Sequence, residues 1–174
     1  YVIIQHKNPR PDGKPNPMAD LRVRQALNYA TDKEALIKAV TFGISKPQQS
    51  FMSSGTPLYY GGGAPYPYDL AKARQLMKDA NYADGFDINV IIANNRSEDI
   101  QRMTAMQQMW SQINVRLKLD VMDRATFTAL YRKGEFDMRA TFWTDDIADP
   151  SQVGSYFLDY SVIQNLRAQW RNPT

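Results

Sequence analysis

This sequence predicts an α/β fold: an open, mostly parallel sheet flanked by helices. Three observations carry that reading. Over residues 86–143, apolar runs of period two alternate with helical stripes as strand, helix, strand, helix, strand, the pattern of βαβ units. The composition, 43% hydrophobic and 22% charged, is ordinary for a globular chain. At 174 residues with no cysteine, the chain is long enough to bury a core without disulfide staples.

The elements follow in order. Val2 to Gln5 is a short apolar strand. Four prolines in the ten residues NPRPDGKPNP exclude helix and central strand there. Asp20 is placed to cap a helix whose stripe is Leu21, Val23, Ala26, Leu27 and Ala30. Thr31-Asp32-Lys33-Glu34 has capping-box spacing, so a second helix restarts with Leu36, Ile37 and Val40 inward. Residues 43–68 form a long Gly, Pro, Ser and Tyr stretch, of a length that usually marks a functional or packed-down segment.

Beyond it the pattern is regular. Asp69 caps a helix to about Ala80, with Ala73, Leu76, Met77 and Ala80 facing inward. Phe86 to Ala93 is a strand. Ser97 is expected to cap a long helix with Glu98 and Asp99 in its first turn, where negative charge meets the helix dipole. Met103, Met106 and Met109 on that helix read as core filling. Val115 to Val121 alternates apolar with charged residues, one face buried and one wet. Asp123 precedes a helix that Gly134 closes. Phe136 to Trp143 is a further strand, followed by a short helix near Ser151 to Leu158 and an irregular tail.

Composition excludes several function classes. A net charge of +3, evenly scattered, argues against a nucleic-acid surface. Without cysteine there is no thiol nucleophile and no Cys-ligated zinc, and a single histidine, His6, argues against a His-based metal site or catalytic triad. His6 itself reads as a surface or capping residue. No apolar run approaches the roughly 18 residues of a membrane helix. No phosphate loop, nucleotide fingerprint or nucleophile elbow is present, so neither a metal nor a cofactor is expected. The opening YVIIQHK lacks the flanks of a signal peptide. With no initiating Met and an ending at RNPT, the sequence reads as an excised piece of a longer protein.

In open α/β sheets ligands bind outside the carboxyl ends of the strands. One such end is Asn94-Asn95-Arg96, directly before a helix N-terminus: a guanidinium beside open helix N–H groups, suited to an anion. The other is Trp143-Thr144-Asp145-Asp146-Ile147-Ala148-Asp149-Pro150, an indole with three carboxylates, suited to a cation or a polar ligand with an apolar body. Together the two ends suit a zwitterion. Plainer readings stand beside this one. Asp at a strand exit is common turn and cap chemistry, Arg96 reads equally as a surface charge, and Trp143 as core. The DDIAD run lacks the Gly and terminal Glu of a calcium loop. A carboxylate-dependent glycoside hydrolase using Asp145, Asp146 or Asp149 is the alternative from another class, weakened because adjacent Asp145 and Asp146 would point in different directions. A third reading is an interaction module presenting the 43–68 stretch.

The residues also carry a resemblance. DLRVRQALNYATDKEALIKAV resembles the "VRQAL–yAiDRe" stretch of the peptide/nickel-type (family 5) extracytoplasmic solute-binding proteins of ABC transporters, the dipeptide- and oligopeptide-binding family. YPYDLAKARQLMKDANYADGF is similar to the family's "Y–yDpekAkqLL–eAGy–dGf", and INVRLKLDV, FTALYRKGEFDM and FWTDDIADP follow in the family's order, so the match runs from about residue 19 to about 158. Asn81 and Asn114 stand where the family usually has Gly after a helix; Asn is the next-best occupant of a left-handed cap.

The resemblance implies a periplasmic-binding-protein-like (type II) lobe. Residues 1–19 would be a Pro-rich lead-in from a preceding strand, and 20–174 a truncated carboxy-terminal lobe whose amino-terminal counterpart is absent. It implies capture of a peptide or other small zwitterionic solute for ABC permease subunits in the membrane, with no reaction catalysed, in the periplasm or on a lipid anchor outside a Gram-positive cell. By the family pattern, Asp146 holds the ligand ammonium, Trp143 lines a side-chain pocket, Thr144 and Asp145 share that run, and Arg96 meets the ligand carboxylate. Asp145 stands where a small residue is common, an extra charge that favours a more cationic ligand. Severed strand edges and an exposed interlobe face would also let such a fragment self-associate.

Overall fold

The computed structural model describes residues 2–6, 9–10, 12–47, 55, 66–141 and 149. Its elements are β1 (Val2–Ile4), α1 (Leu21–Tyr29), α2 (Lys33–Thr41), α3 (Leu70–Asp79), β2 (Phe86–Ala93), α4 (Ser97–Ser111), β3 (Val115–Met122), α5 (Arg124–Lys133) and β4 (Met138–Ala140), with a 3-10 turn at Pro17–Ala19. The expected helix at 151–158 and most of the 43–68 stretch lie outside the described residues.

Among the described residues one four-stranded sheet runs β1-β4-β2-β3. β2 pairs in parallel with both β3 (Phe86 beside Val115) and β4 (Val90 beside Met138), and β1 pairs antiparallel with β4. The expected mostly parallel sheet is therefore present, with β1 as its antiparallel margin. Alternation along the strands sends Phe86, Ile88, Val90 and Ile92 into the larger core with Val115, Leu117 and Met138. Met18, Val23, Leu27, Met77, Met103, Met106 and Trp110 of the overlying turn and helices complete it. The opposite face carries Ile3, Ile91 and Ala93, covered by Phe127 of α5 and by Phe136. Met103 and Met106 do fill core, and Met109 packs against it.

The caps show why the helices begin and end where they do. Asp20 accepts the Arg22 N–H at 2.8 Å, Asp69 the Lys72 N–H at 2.8 Å, and Asp123 the Ala125 and Thr126 N–H groups at 2.9 and 3.0 Å. Two caps differ from expectation. At α2 the cap is Asp32, which accepts the Ala35 N–H at 2.9 Å; Thr31 instead donates its hydroxyl to the Leu27 carbonyl at 2.7 Å. At α4 Ser97 is the first helical residue, and the cap position falls on Arg96, which makes no side-chain cap bond because arginine offers no acceptor.

Helix exits follow the sequence closely. Asn81 and Asn114 are both left-handed, at φ 63° and 61°, as is Gly134 at φ 70°. After α3 the Tyr82 N–H reaches the Met77 carbonyl at 2.8 Å and the Asn81 N–H reaches Lys78 at 3.0 Å, a Schellman closure.

β4 is shorter than the expected 136–143: Phe136 and Asp137 precede it, and 142–143 lie outside the described residues. The alternating face of β3 is buried only at its start. Val115 and Leu117 are covered, whereas Val121 is 45% exposed.

The Pro-rich lead-in is held by side chains, since its prolines have no N–H to offer. Arg10 donates to the Asp87 carbonyl at 3.1 Å and pairs with Asp137 at 3.0 Å. The Asn16 amide donates to the Gln5 carbonyl at 2.8 Å while its oxygen accepts the Met18 N–H at 2.9 Å.

Candidate functional site

The order β3-β2-β4 has the succession second, first, third within the parallel part of the sheet. In such a sheet the topological switch point, where ligands bind, lies between the carboxyl ends of the first and third strands. Here these are β2 and β4. Their paired registers, Val90 with Met138 and Ile91 with Arg139, bring the two exits level. The chain leaving β2 passes through Asn94 and Asn95 to Arg96 and α4. The chain leaving β4 passes Thr141 toward Trp143, Thr144, Asp145 and Asp146. These four residues lie outside the described residues, so of the sequence-derived site the structure places Arg96 alone.

The Arg96 guanidinium is braced from within the chain. Its Nε donates to Asp99 Oδ2 at 3.1 Å, and the other carboxylate oxygen of Asp99 receives Arg102 Nη1 at 2.8 Å. Arg102 also reaches Glu98 at 2.6 Å. Asp99 is buried, its side chain only 3% exposed against 27% for Arg96. Sequence reading saw Asp99 only as a favourable first-turn charge. The signal available was its spacing, three residues after Arg96 and three before Arg102, which puts all three on one helix face.

Asp123, at the exit of β3, is committed to capping: hydrogen bonds from the Thr126 hydroxyl and N–H hold its carboxyl below the usual range. Sequence reasoning also passed over Arg139, buried on the α5 face of β4 with its guanidinium carbon 4.0 Å from the Tyr131 ring centre, a cation–π contact. His6 is not a surface residue. It is half-buried, and desolvation, aided by the positive charge of Arg24, lowers its pKa to about 4. Among the described residues no three His, Asp or Glu side chains gather as a metal site.

A parallel sheet packed on both faces, with a braced arginine at the exit of β2, defines an α/β fold of the doubly wound kind. The comparisons with known proteins give the family. Residues 1–165 match the family model described as bacterial extracellular solute-binding proteins, family 5 Middle. The chain belongs to that family.

Among curated relatives, the glutathione-binding protein GsiB of Salmonella typhimurium is 36% identical over 107 residues, covering 62% of this chain and 21% of that protein. Heme-binding protein A of Haemophilus influenzae is 32% identical over 154 residues, covering 86% of this chain and 28% of that protein. The chain thus spans about a fifth to just over a quarter of the length of these relatives. In fold it matches the dipeptide binding protein from Pseudoalteromonas sp. SM9913 in complex with Met-Leu, with a TM-score of 0.85 at 23% identity, covering 99% of this chain and 34% of that one.

Proposed function

We propose that the full-length protein is the solute receptor of an ABC importer. It captures a peptide or similar zwitterionic solute outside the cytoplasm and delivers it to permease subunits without chemical change. The observation that carries this reading is the family match across residues 1–165. The glutathione, heme and Met-Leu named for the relatives and the neighbour all bear carboxylates, in keeping with an arginine at the binding rim.

On this reading residues 1–19 lead in from a preceding strand and 20–174 belong to the carboxy-terminal lobe of a two-lobed protein, in the periplasm or lipid-anchored outside a Gram-positive cell. Asp146 pairs with the ligand ammonium, Trp143 lines a side-chain pocket with Thr144 and Asp145 beside it, and Arg96 receives the carboxylate. Titration calorimetry of the full-length protein with short peptides tests this: saturable binding with the peptides recovered intact supports a receptor. Failure to bind peptides, with turnover of a glycoside abolished by Asp146→Asn, would favour a hydrolase instead.

For the isolated 174-residue chain we propose self-association through its sheet margins, β1 and β3. A strict monomer by light scattering at high concentration contradicts that.

A further inference from the structure

Asp99 is a buried carboxylate that the proposed ligand contacts do not use. Each of its oxygens is taken by a different guanidinium, Arg96 Nε at 3.1 Å and Arg102 Nη1 at 2.8 Å. Burying a carboxylate is costly unless it is paired, and the double pairing meets that condition. Two guanidiniums from residues six positions apart repel each other across the shared partner, and the carboxylate between them lets both stay. The two cations face two carboxylates, of which Asp99 alone is buried. Glu98, the remaining acid of the cluster, is 55% exposed and screened by water. A long arginine side chain otherwise loses rotamer freedom whenever it grips a ligand, at a cost to affinity. Asp99 fixes that side chain before the ligand arrives.

We propose that Asp99 is a positioning residue: it holds Arg96 at the β2 exit so that the carboxylate end of a ligand meets a pre-oriented guanidinium. The inference rests on the reading of Arg96 as the carboxylate-binding residue, and it assigns to Asp99 the discrimination between ligands with and without that carboxylate.

The test uses the full-length protein and one probe pair, the dipeptide Ala-Phe as free acid and as its carboxy-terminal amide, by titration calorimetry. The wild type is expected to prefer the acid by about thirtyfold or more, the effect of one charge-assisted pair. Arg96→Gln removes the preference. Asp99→Asn, nearly isosteric, reduces the preference to about a third or less while leaving affinity for the amide unchanged. A role confined to stability would instead weaken both ligands alike, and that result overturns the inference.

A preference unchanged or increased in Asp99→Asn also overturns it, because removing a negative charge without loss of position strengthens anion binding. If Asp99→Asn does not fold, Arg102→Gln removes one arm of the same brace and is expected to lower the acid preference by a smaller factor; an unaltered preference overturns the proposal. A preference that survives Arg96→Gln, or a wild type binding neither probe, defeats the Arg96 reading itself. Loss in Arg96→Gln with full retention in Asp99→Asn defeats only the role of Asp99.

Discussion

The indole N–H of Trp110 donates to the hydroxyl of Thr31 at 2.9 Å, and that hydroxyl donates its own O–H to the Leu27 carbonyl at 2.7 Å. One threonine thereby ties α4 to the end of α1, over a tryptophan that is only 2% exposed. Thr31→Val keeps the shape and removes the acceptor, leaving a buried N–H without its partner. The expected loss is about 1–3 kcal/mol, read as a lower urea midpoint at unchanged slope.

Gly85 and Asn114 approach more closely than any side chain allows. A Cβ on Gly85 would lie 1.8 Å from the Asn114 backbone oxygen, and Gly85 is left-handed at φ 71°. Gly85→Ala therefore has to displace backbone as well as adopt a strained conformation. It is expected to cost more than about 3 kcal/mol, seen as loss of soluble protein or a collapsed melting temperature.

The left-handed exit from α3 gives a milder test. Asn81 at φ 63° occupies a conformation that costs other side chains about 1–2 kcal/mol. Asn81→Ala is expected to destabilise by about 1 kcal/mol and Asn81→Gly by little or nothing, both by chemical denaturation.

Stability should depend on His6 below neutral pH. Its folded-state pKa is lowered to about 4 from 6.5, by desolvation first and by Arg24 second. The folded state therefore favours the neutral ring, and the unfolded chain binds the proton first. The contribution is whole above pH 6.5 and is lost progressively as pH falls from there toward about 4. His6→Gln is expected to flatten the stability profile across that window relative to wild type. The depressed carboxyls of Asp20 and Asp123 lose their contribution only below the ordinary 3.8.

In the full-length protein, Asp146→Ala is expected to weaken peptide binding at least about thirtyfold, the lower end of the cost of breaking a buried charge pair. Calorimetry reads this directly, and unchanged affinity would remove Asp146 from the site.

Much of this fold is legible in the sequence because its signals are local. Asp20, Asp69 and Asp123 cap the helices they precede, and Phe86–Ala93 is bounded by its own apolar run. Asn81 and Asn114 declare their left-handed turns by residue type. What is hidden depends on tertiary partners. Asp32 displaces Thr31 as a cap because Thr31 serves Trp110, 79 positions away in sequence. Buried Arg139 lies in a strand whose alternation says only which face it shares with Ile91, not that Tyr131 stacks on it. At the site, the strand-end rule located Arg96, but its engagement with Asp99 required the helix to be built.

The most direct test of the central claim is native mass spectrometry of the full-length protein, purified without added ligand and then denatured to release what it carries. The receptor account predicts a set of short peptides, or one discrete carboxylate-bearing solute, released chemically intact. A protein that carries nothing and converts a test glycoside to product would contradict it.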